Sequence, residues 1–294
     1  MTAKPIVAAT DGSAESLQAV EWAAREAALR GAPLRIVSAA RLLPRMTDRR
    51  SDPDLNTVAD IIAGDRDRAL ATAAQRAIAV APVLLVDTDP LSGPPAQAVT
   101  ESGSGAALLV VGSRGIGAFT AMLLGSVSRY VATHASCPVA VIRDDTAAAY
   151  RQVGIGLGDL DHCADSLTFA FEEAALRHAS LTVLHAWHAP QSDISRAGQS
   201  FTPVGGYAAE DEVNRQLAGL LEGWRQKYPD VPVSQGVVHG HPGRALVGLS
   251  ARAELVVIGR HVRQPGLAGP GTVTHAVLNH AHGPIVTVPS VSAR

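Results

Sequence analysis

One segment of the chain, residues 112–128, carries residue types that could bind a phosphate group. It reads GSRGIGAFTAMLLGSVS and follows a run of apolar residues. Gly112 and Gly115 can adopt positive φ and let backbone amides approach an anion closely. Gly125 and Ser126 stand where a helix would begin, and free N–H groups at a helix N-terminus attract anions. The spacing therefore predicts a phosphate-binding loop.

Further polar residues could complete this site. Arg114 could supply the positive charge that a triphosphate requires, and the hydroxyl of Ser126 or that of Ser128 could donate a hydrogen bond. Asp11 follows another apolar run, so its carboxylate could contact a ligand. Alternatively, Asp11 could cap the following helix together with Ser13. Both interpretations of Asp11 remain open at this point.

The chain repeats itself with a separation of 147 positions, which becomes 146 at the last predicted strand because the second copy is one residue shorter before it. Residues 25–30 (REAALR) return as 172–177 (EEAALR), and the apolar run 108–111 returns as 255–258. Such a register over 294 residues predicts two domains of similar fold. We expect them to span residues 1–145 and 151–294, with a linker between them.

Short apolar runs alternate with amphipathic segments in each copy, which predicts an α/β fold. Each domain should be a doubly wound, five-stranded parallel sheet with helices on both faces. Ligands of such sheets bind beyond the carboxyl ends of the strands, where the segments after strands one and four meet. In the first copy the predicted strands are 6–10, 34–39, 83–87, 108–111 and 139–142, and the predicted helices are 14–30, 66–80, 95–102 and 126–134.

The loop resembles that of a known family. Gly112, Gly115, Gly125 and Ser126 match the Gly-x2-Gly-x9-Gly-Ser/Thr pattern of the ATP-binding branch of the universal stress protein family, and the resemblance extends over the whole chain. It implies an adenine-nucleotide α-hydrolase-like fold and ATP as ligand, with or without Mg²⁺. Asp11 would then contact adenosine, and Ala39 would form part of the adenine wall. The implied contact set is Ala9, Thr10, Asp11, Ala39, Val111, Gly112, Arg114, Gly115, Gly125, Ser126, Val127 and Ser128.

The second copy departs from this pattern at the site itself. Gly158 stands at the position of Asp11, although the neighbouring Asp159 could partly substitute, and Val262 stands at that of Gly115. A β-branched residue resists positive φ, and the shortened segment 263–270 contains two prolines without amide donors. We expect a degenerate ATP loop here that binds nucleotide weakly or not at all. Thr274 and its neighbours leave a weak anion site open.

Composition narrows the functional classes. The formal net charge of −2 and the pI near 6.6 provide no basic surface for nucleic acid. Cys137 and Cys163 are the two cysteines, with no metal-type spacing. The start of the chain lacks a signal-peptide pattern, and no apolar run reaches the roughly 18–20 residues that span a bilayer. We therefore expect a cytoplasmic protein that binds neither nucleic acid nor membrane.

Three functions remain open. The leading hypothesis is a nucleotide-dependent regulatory or stress-response protein that forms a homodimer, in which the family's edge strands, 138–142 and 284–288, would pair. An enzyme of the same superfamily, a slow ATPase or an adenylating enzyme, is the alternative. A nucleotide-free interaction module is a further alternative. The sequence predicts no catalytic residue and no metal-ligating residue, and hydrolysis of ATP should be slow at most.

Overall fold

The computed structural model describes residues 3–39, 53–115, 124–143, 150–187, 204–261 and 271–290. Strands and helices alternate along these ranges, as the sequence predicts. The first half contains β1 (Ile6–Ala9), α1 (Ala14–Arg30), β2 (Leu34–Ala39), α2 (Pro53–Val80), β3 (Val86–Leu91), α3 (Pro95–Ser102), β4 (Leu108–Gly112), α4 (Ser126–His134) and β5 (Val139–Ile142). The second half contains β6 (Gln152–Leu157), α5 (Ala164–Arg177), β7 (Ser180–Trp187), α6 (Val204–Lys227), β8 (Val233–His239), α7 (Pro242–Ser250), β9 (Leu255–His261), α8 (Thr272–His280) and β10 (Ile285–Ser290).

The strands form one sheet in the order β3-β2-β1-β4-β5-β10-β9-β6-β7-β8. Each half is parallel and has the same order, which confirms the prediction of two doubly wound, five-stranded parallel sheets. The halves join through β5 and β10, which pair antiparallel, with Val141 opposite Ile285 and Val139 opposite Thr287. These are the edge strands that the sequence analysis names for pairing, both within the chain and in an assembly of molecules. Because they pair inside the chain, an assembly of two molecules would need another surface.

Helices cover both faces of the sheet. Helices α1, α2, α5 and α6 contribute buried residues to one apolar cluster, and α3, α4, α7 and α8 contribute to the other. Helix α1 shows how the sequence fixes an element. The hydroxyl of Ser13 accepts a hydrogen bond from the N–H of Ser16 at its start, and Gly31 ends it in the left-handed region at φ 61°. Its buried face is rich in alanine, which allows close packing on the sheet.

The predicted bounds of two elements are wrong. The structure places β3 at Val86–Leu91, whereas the sequence suggested 83–87, and the side chains of Val83 and Leu85 are 95% and 77% exposed. Strand β3 lies at an edge of the sheet, where Pro90 is tolerated because its missing N–H can face solvent. Helix α2 begins at Pro53, whereas apolar periodicity suggested Arg66. Proline suits a first helical turn, since the N–H that it lacks would have no partner within the helix.

Buried charges join the two halves on the face of α1 and α5. Glu26 and Arg30 of α1 meet their repeat counterparts, Glu173 and Arg177 of α5. Arg177 donates to Glu26 at 2.5 Å, and Arg30 forms an ion pair with Glu173. Both carboxylates are almost fully buried, at 2% and 0% exposure. The same sequence element therefore contributes to the interdomain contact from each copy.

Arginines join the halves on the opposite face as well. Arg143, which follows β5, donates to the carbonyl oxygens of Leu278 and Ala281 at the end of α8. Arg260 of β9 donates to the carbonyl oxygens of Thr133 and Ala135 at the end of α4. A positive charge stabilises the negative end of a helix. Each half therefore caps a helix of the other.

Candidate functional site

The segment after β1 forms a compact hydrogen-bonded turn. The Oγ1 atom of Thr10 accepts a bond from the N–H of Gly12 at 3.1 Å and contacts the hydroxyl of Ser16 at 2.9 Å. The Oδ1 atom of Asp11 accepts bonds from the N–H and the hydroxyl of Ser13, at 3.0 and 2.6 Å. Gly12 has a φ of 84°, which few other residues adopt readily. Asp11 thus orients the residue that caps α1 while remaining exposed.

The base of the predicted phosphate loop is closed by backbone hydrogen bonds. The N–H of Gly125 donates to the carbonyl of Ser113 at 2.8 Å, so both ends of the loop lie side by side. Ser113 is buried, and its own N–H donates to the carbonyl of Ile142 in β5. Ser113 is a residue that the sequence analysis missed, since an ordinary serine beside a glycine gives no signal. Residues 116–123 lie outside the described part of the chain.

Close packing explains the two loop glycines, and the predicted positive φ is wrong for both. Neither Gly112 nor Gly115 has positive φ. A Cβ atom at Gly112 would lie 2.9 Å from the carbonyl oxygen of Glu15 in α1. A Cβ atom at Gly115 would collide with the carboxylate of Asp11. Glycine at residue 112 thus leaves room for the backbone of α1, and glycine at residue 115 leaves room for the side chain of Asp11.

The N-terminus of α4 faces this loop without a capping side chain. Gly125 is its N-cap and makes no side-chain capping bond. The first helical hydrogen bond runs from the N–H of Arg129 to the carbonyl of Gly125, which leaves the amides of residues 126–128 ahead of the intrahelical ladder. Amides in this position, at the positive end of the helix, can bind an anion.

Of the two serine hydroxyls considered as alternative donors, one is engaged within the chain. The hydroxyl of Ser128 is buried and donates to the carbonyl of Gly112 at 2.6 Å, so its proton is already engaged. Its role is to hold α4 against β4. Ser126 is exposed at the start of α4, where its hydroxyl can still face a ligand.

The remaining predicted residues fall into two groups. Ala9 and Ala39 end the neighbouring strands β1 and β2, and both are half-buried. Arg114 is exposed within the loop. Val111 is buried and Val127 half-buried in the apolar cluster beneath the site. The structure therefore gathers Asp11, the loop base and the start of α4 at one end of the sheet.

The corresponding end of the second domain contains a cavity of ≈ 230 Å³. Gly158, Asp159 and His162 lie at its β6 side, and Thr274 lies at its α8 side. Val262 and residues 263–270, on which the prediction of a degenerate loop depends, lie outside the described residues. The sequence analysis missed this cavity, although larger apolar residues at repeat-related positions could have indicated it.

Burial shifts the pKa values of both cysteine thiols and of one arginine. Burial raises the pKa of the Cys137 thiol to about 11 and also raises that of Cys163, where Asp159 and Asp161 add to the effect. Burial lowers the pKa of Arg260. Thiolates are the reactive form, so neither cysteine is activated as a nucleophile. Among the described residues, no group of three or more His, Cys, Asp or Glu side chains could hold a metal ion.

Comparison with known proteins identifies the family. The sequence model described as "Universal stress protein family" matches residues 2–143 and 149–289. A universal stress protein of Mycobacterium tuberculosis H37Rv is 35% identical over 288 residues, covering 96% of this chain and 95% of the relative. The chain belongs to the universal stress protein family.

Further comparisons agree with this assignment. A universal stress protein of Mycolicibacterium smegmatis is 32% identical over 293 residues, and the match covers 96% of each chain. The crystal structure of a universal stress protein from Archaeoglobus fulgidus aligns with a TM-score of 0.69 at 16% identity, covering 98% of this chain and 99% of that one. At this identity the structural likeness supports the fold alone. No helix in the described part of this universal stress protein is long and apolar enough to cross a membrane.

Proposed function

We propose that the first domain of this universal stress protein binds ATP, and that the bound nucleotide regulates the protein's role in a stress response. The observation that carries the proposal is the start of α4. Its N-cap, Gly125, has no capping side chain and is tied to Ser113 at the loop base. The amides of residues 126–128 precede the first helical hydrogen bond of α4, so we expect them to bind phosphates through backbone N–H groups.

The surrounding residues divide the recognition of the nucleotide between them. The amides of residues 126–128 bind the phosphates, and Arg114 supplies positive charge from an exposed position. Asp11 offers its carboxylate to the adenosine from the neighbouring strand end. Any Mg²⁺ would be held largely by the phosphates, since this ion keeps most of its waters in nucleotide sites.

Assembly and location belong to the proposal too. We propose that the protein is cytoplasmic and forms a homodimer. Since β5 and β10 pair within the chain, the edges left for association are those of β3 and β8. Light scattering should then show a species larger than the 30.4 kDa chain, and a monomer alone would contradict this part of the proposal.

The substitution Gly125→Glu tests ATP binding directly. A Cβ atom at residue 125 would meet Ser113 O at 3.4 Å, an ordinary contact, so the variant should fold. Its carboxylate would enter the phosphate position and repel the ligand. We expect loss of ATP binding in calorimetric titration, with an unchanged circular dichroism spectrum.

The second domain provides a matched control. Gly271 is the N-cap of α8, the counterpart of α4, and a Cβ atom there would meet nothing within 4 Å. Gly271→Glu adds the same charge at the equivalent helix start and should leave ATP affinity unchanged. Unchanged ATP affinity in a folded Gly125→Glu protein would contradict the proposed phosphate site.

A further inference from the structure

The cavity of the second domain lies at the carboxyl ends of β6, β7 and β9, beside the starts of α7 and α8. We propose that it binds a compact, uncharged and largely apolar small molecule of aromatic or heterocyclic type, and that it does not bind a nucleoside triphosphate. The proposal concerns a ligand class different from that of the first domain and does not depend on ATP binding there.

The walls of the cavity are mainly hydrocarbon. Its apolar lining consists of Leu157, Leu184, Ala245, Leu246, Ile258 and Val273. Its volume of ≈ 230 Å³ exceeds the roughly 150 Å³ at which apolar cavities stay dry and still bind benzene. A small ring compound would gain van der Waals contacts with these side chains.

Polar groups in the inner wall are already engaged within the chain. The hydroxyl of Ser166 donates to the carbonyl of Cys163 at 2.9 Å, and that of Ser290 donates to the carbonyl of Arg260 at 3.4 Å. Burial raises the pKa of the Cys163 thiol, so this group stays neutral at physiological pH. The inner wall therefore favours an uncharged ligand, because a charge placed there would lose its hydration.

The polar rim of the cavity opposes phosphate. Asp159 and His162 form a pair at 2.8 Å, and each is only about half shielded, at 42% and 43% exposure. None of the described residues that line the cavity is a lysine or an arginine. A triphosphate at this rim would bring its negative charge close to the carboxylate of Asp159. A ring nitrogen or hydroxyl could instead share one hydrogen bond with the pair.

Repeat-related positions show that two of these apolar side chains are larger in this domain than in the first. Leu246 stands where the first domain has Val99, and Leu184 stands where it has Val37. Gly156 makes room for the larger leucine, since a Cβ atom at this glycine would lie 2.6 Å from a methyl carbon of Leu246. The second copy therefore has longer apolar side chains at these two positions of the cavity wall.

Indole serves as the probe of this site. Saturation-transfer NMR and calorimetry with the full chain should show one saturable indole site. Ala245→Phe places a ring inside the cavity and should abolish indole binding while ATP binding to the first domain persists. Gly248→Phe adds the same ring to the same helix outside the lining, where a Cβ atom would meet nothing within 4 Å, and should leave indole binding unchanged.

Two further measurements make the result decisive. If Ala245→Phe does not fold, Gly158→Phe replaces it, because a Cβ atom at this rim position also meets nothing within 4 Å. In the Gly125→Glu background, ATP should not displace indole. Absence of saturable indole binding, indole binding that survives the cavity-filling variant, or displacement of indole by ATP would each overturn the proposal. None of these outcomes depends on whether the first domain binds ATP.

Discussion

The carboxylate of Asp11 lies directly against the backbone of Gly115, in the space that a Cβ atom at residue 115 would occupy. Asp11 is held there because its other oxygen accepts two hydrogen bonds from Ser13. The repeat changes both positions together, since the second copy has Gly158 for Asp11 and Val262 for Gly115. The copy with a side chain at the position of Gly115 is thus the copy that lacks a carboxylate at the position of Asp11.

This contact predicts that Gly115→Ala is costly only while Asp11 is present. The added methyl group should displace the carboxylate, destabilise the protein by about 1 kcal/mol and weaken ATP binding. In the background Asp11→Gly, the same Gly115→Ala change should cost little. Urea denaturation of the four proteins gives the coupling energy, and additive effects would show that the two residues do not interact.

One ATP should bind tightly per chain. The second domain lacks the carboxylate of Asp11, and the described lining of its cavity contains no cationic side chain. Calorimetric titration of the unmodified protein should therefore give a stoichiometry near one, which Gly125→Glu abolishes. A stoichiometry near two would show that the second loop remains functional for ATP.

Turnover of ATP should be far slower than the median enzyme rate of roughly 10 per second. Asp11, the acid beside the loop, uses one oxygen to orient Ser13 and therefore has a structural task. An assay for released phosphate with purified protein measures the rate. If the protein hydrolysed several ATP molecules per second and Gly125→Glu lost this activity, the protein would be an ATPase and not only a nucleotide-binding protein.

The buried ion pairs between α1 and α5 should contribute strongly to the free energy of unfolding. Glu173→Ala leaves Arg30 and Arg177 to share the buried carboxylate of Glu26, and the excess of buried positive charge should cost about 3–5 kcal/mol of unfolding free energy. Glu212→Ala is the matched control, because its pair with Arg215 is largely exposed and should contribute less than about 1 kcal/mol. Equal effects of the two substitutions in urea denaturation would contradict this role of Glu173.

Much of the fold could be predicted from the sequence, because it depends on local patterns that recur. The 147-residue repeat and the alternation of apolar runs with amphipathic segments indicate two parallel α/β domains. The glycines of the loop indicate the end of the sheet at which the candidate site lies. Boundaries were less predictable. Val83 and Leu85 look like strand residues in sequence, yet they are exposed because the edge strand begins only at Val86.

The sequence by itself determined the family resemblance, the repeat and the residues of the loop, since each of these is a spacing along the chain. Tertiary structure decided how the parts meet. It pairs β5 with β10, turns Ser128 toward Gly112, places Asp11 against Gly115 and encloses the cavity of the second domain. These contacts are between residues that are distant in sequence. Local sequence patterns do not indicate which of these residues pack against each other in the folded protein.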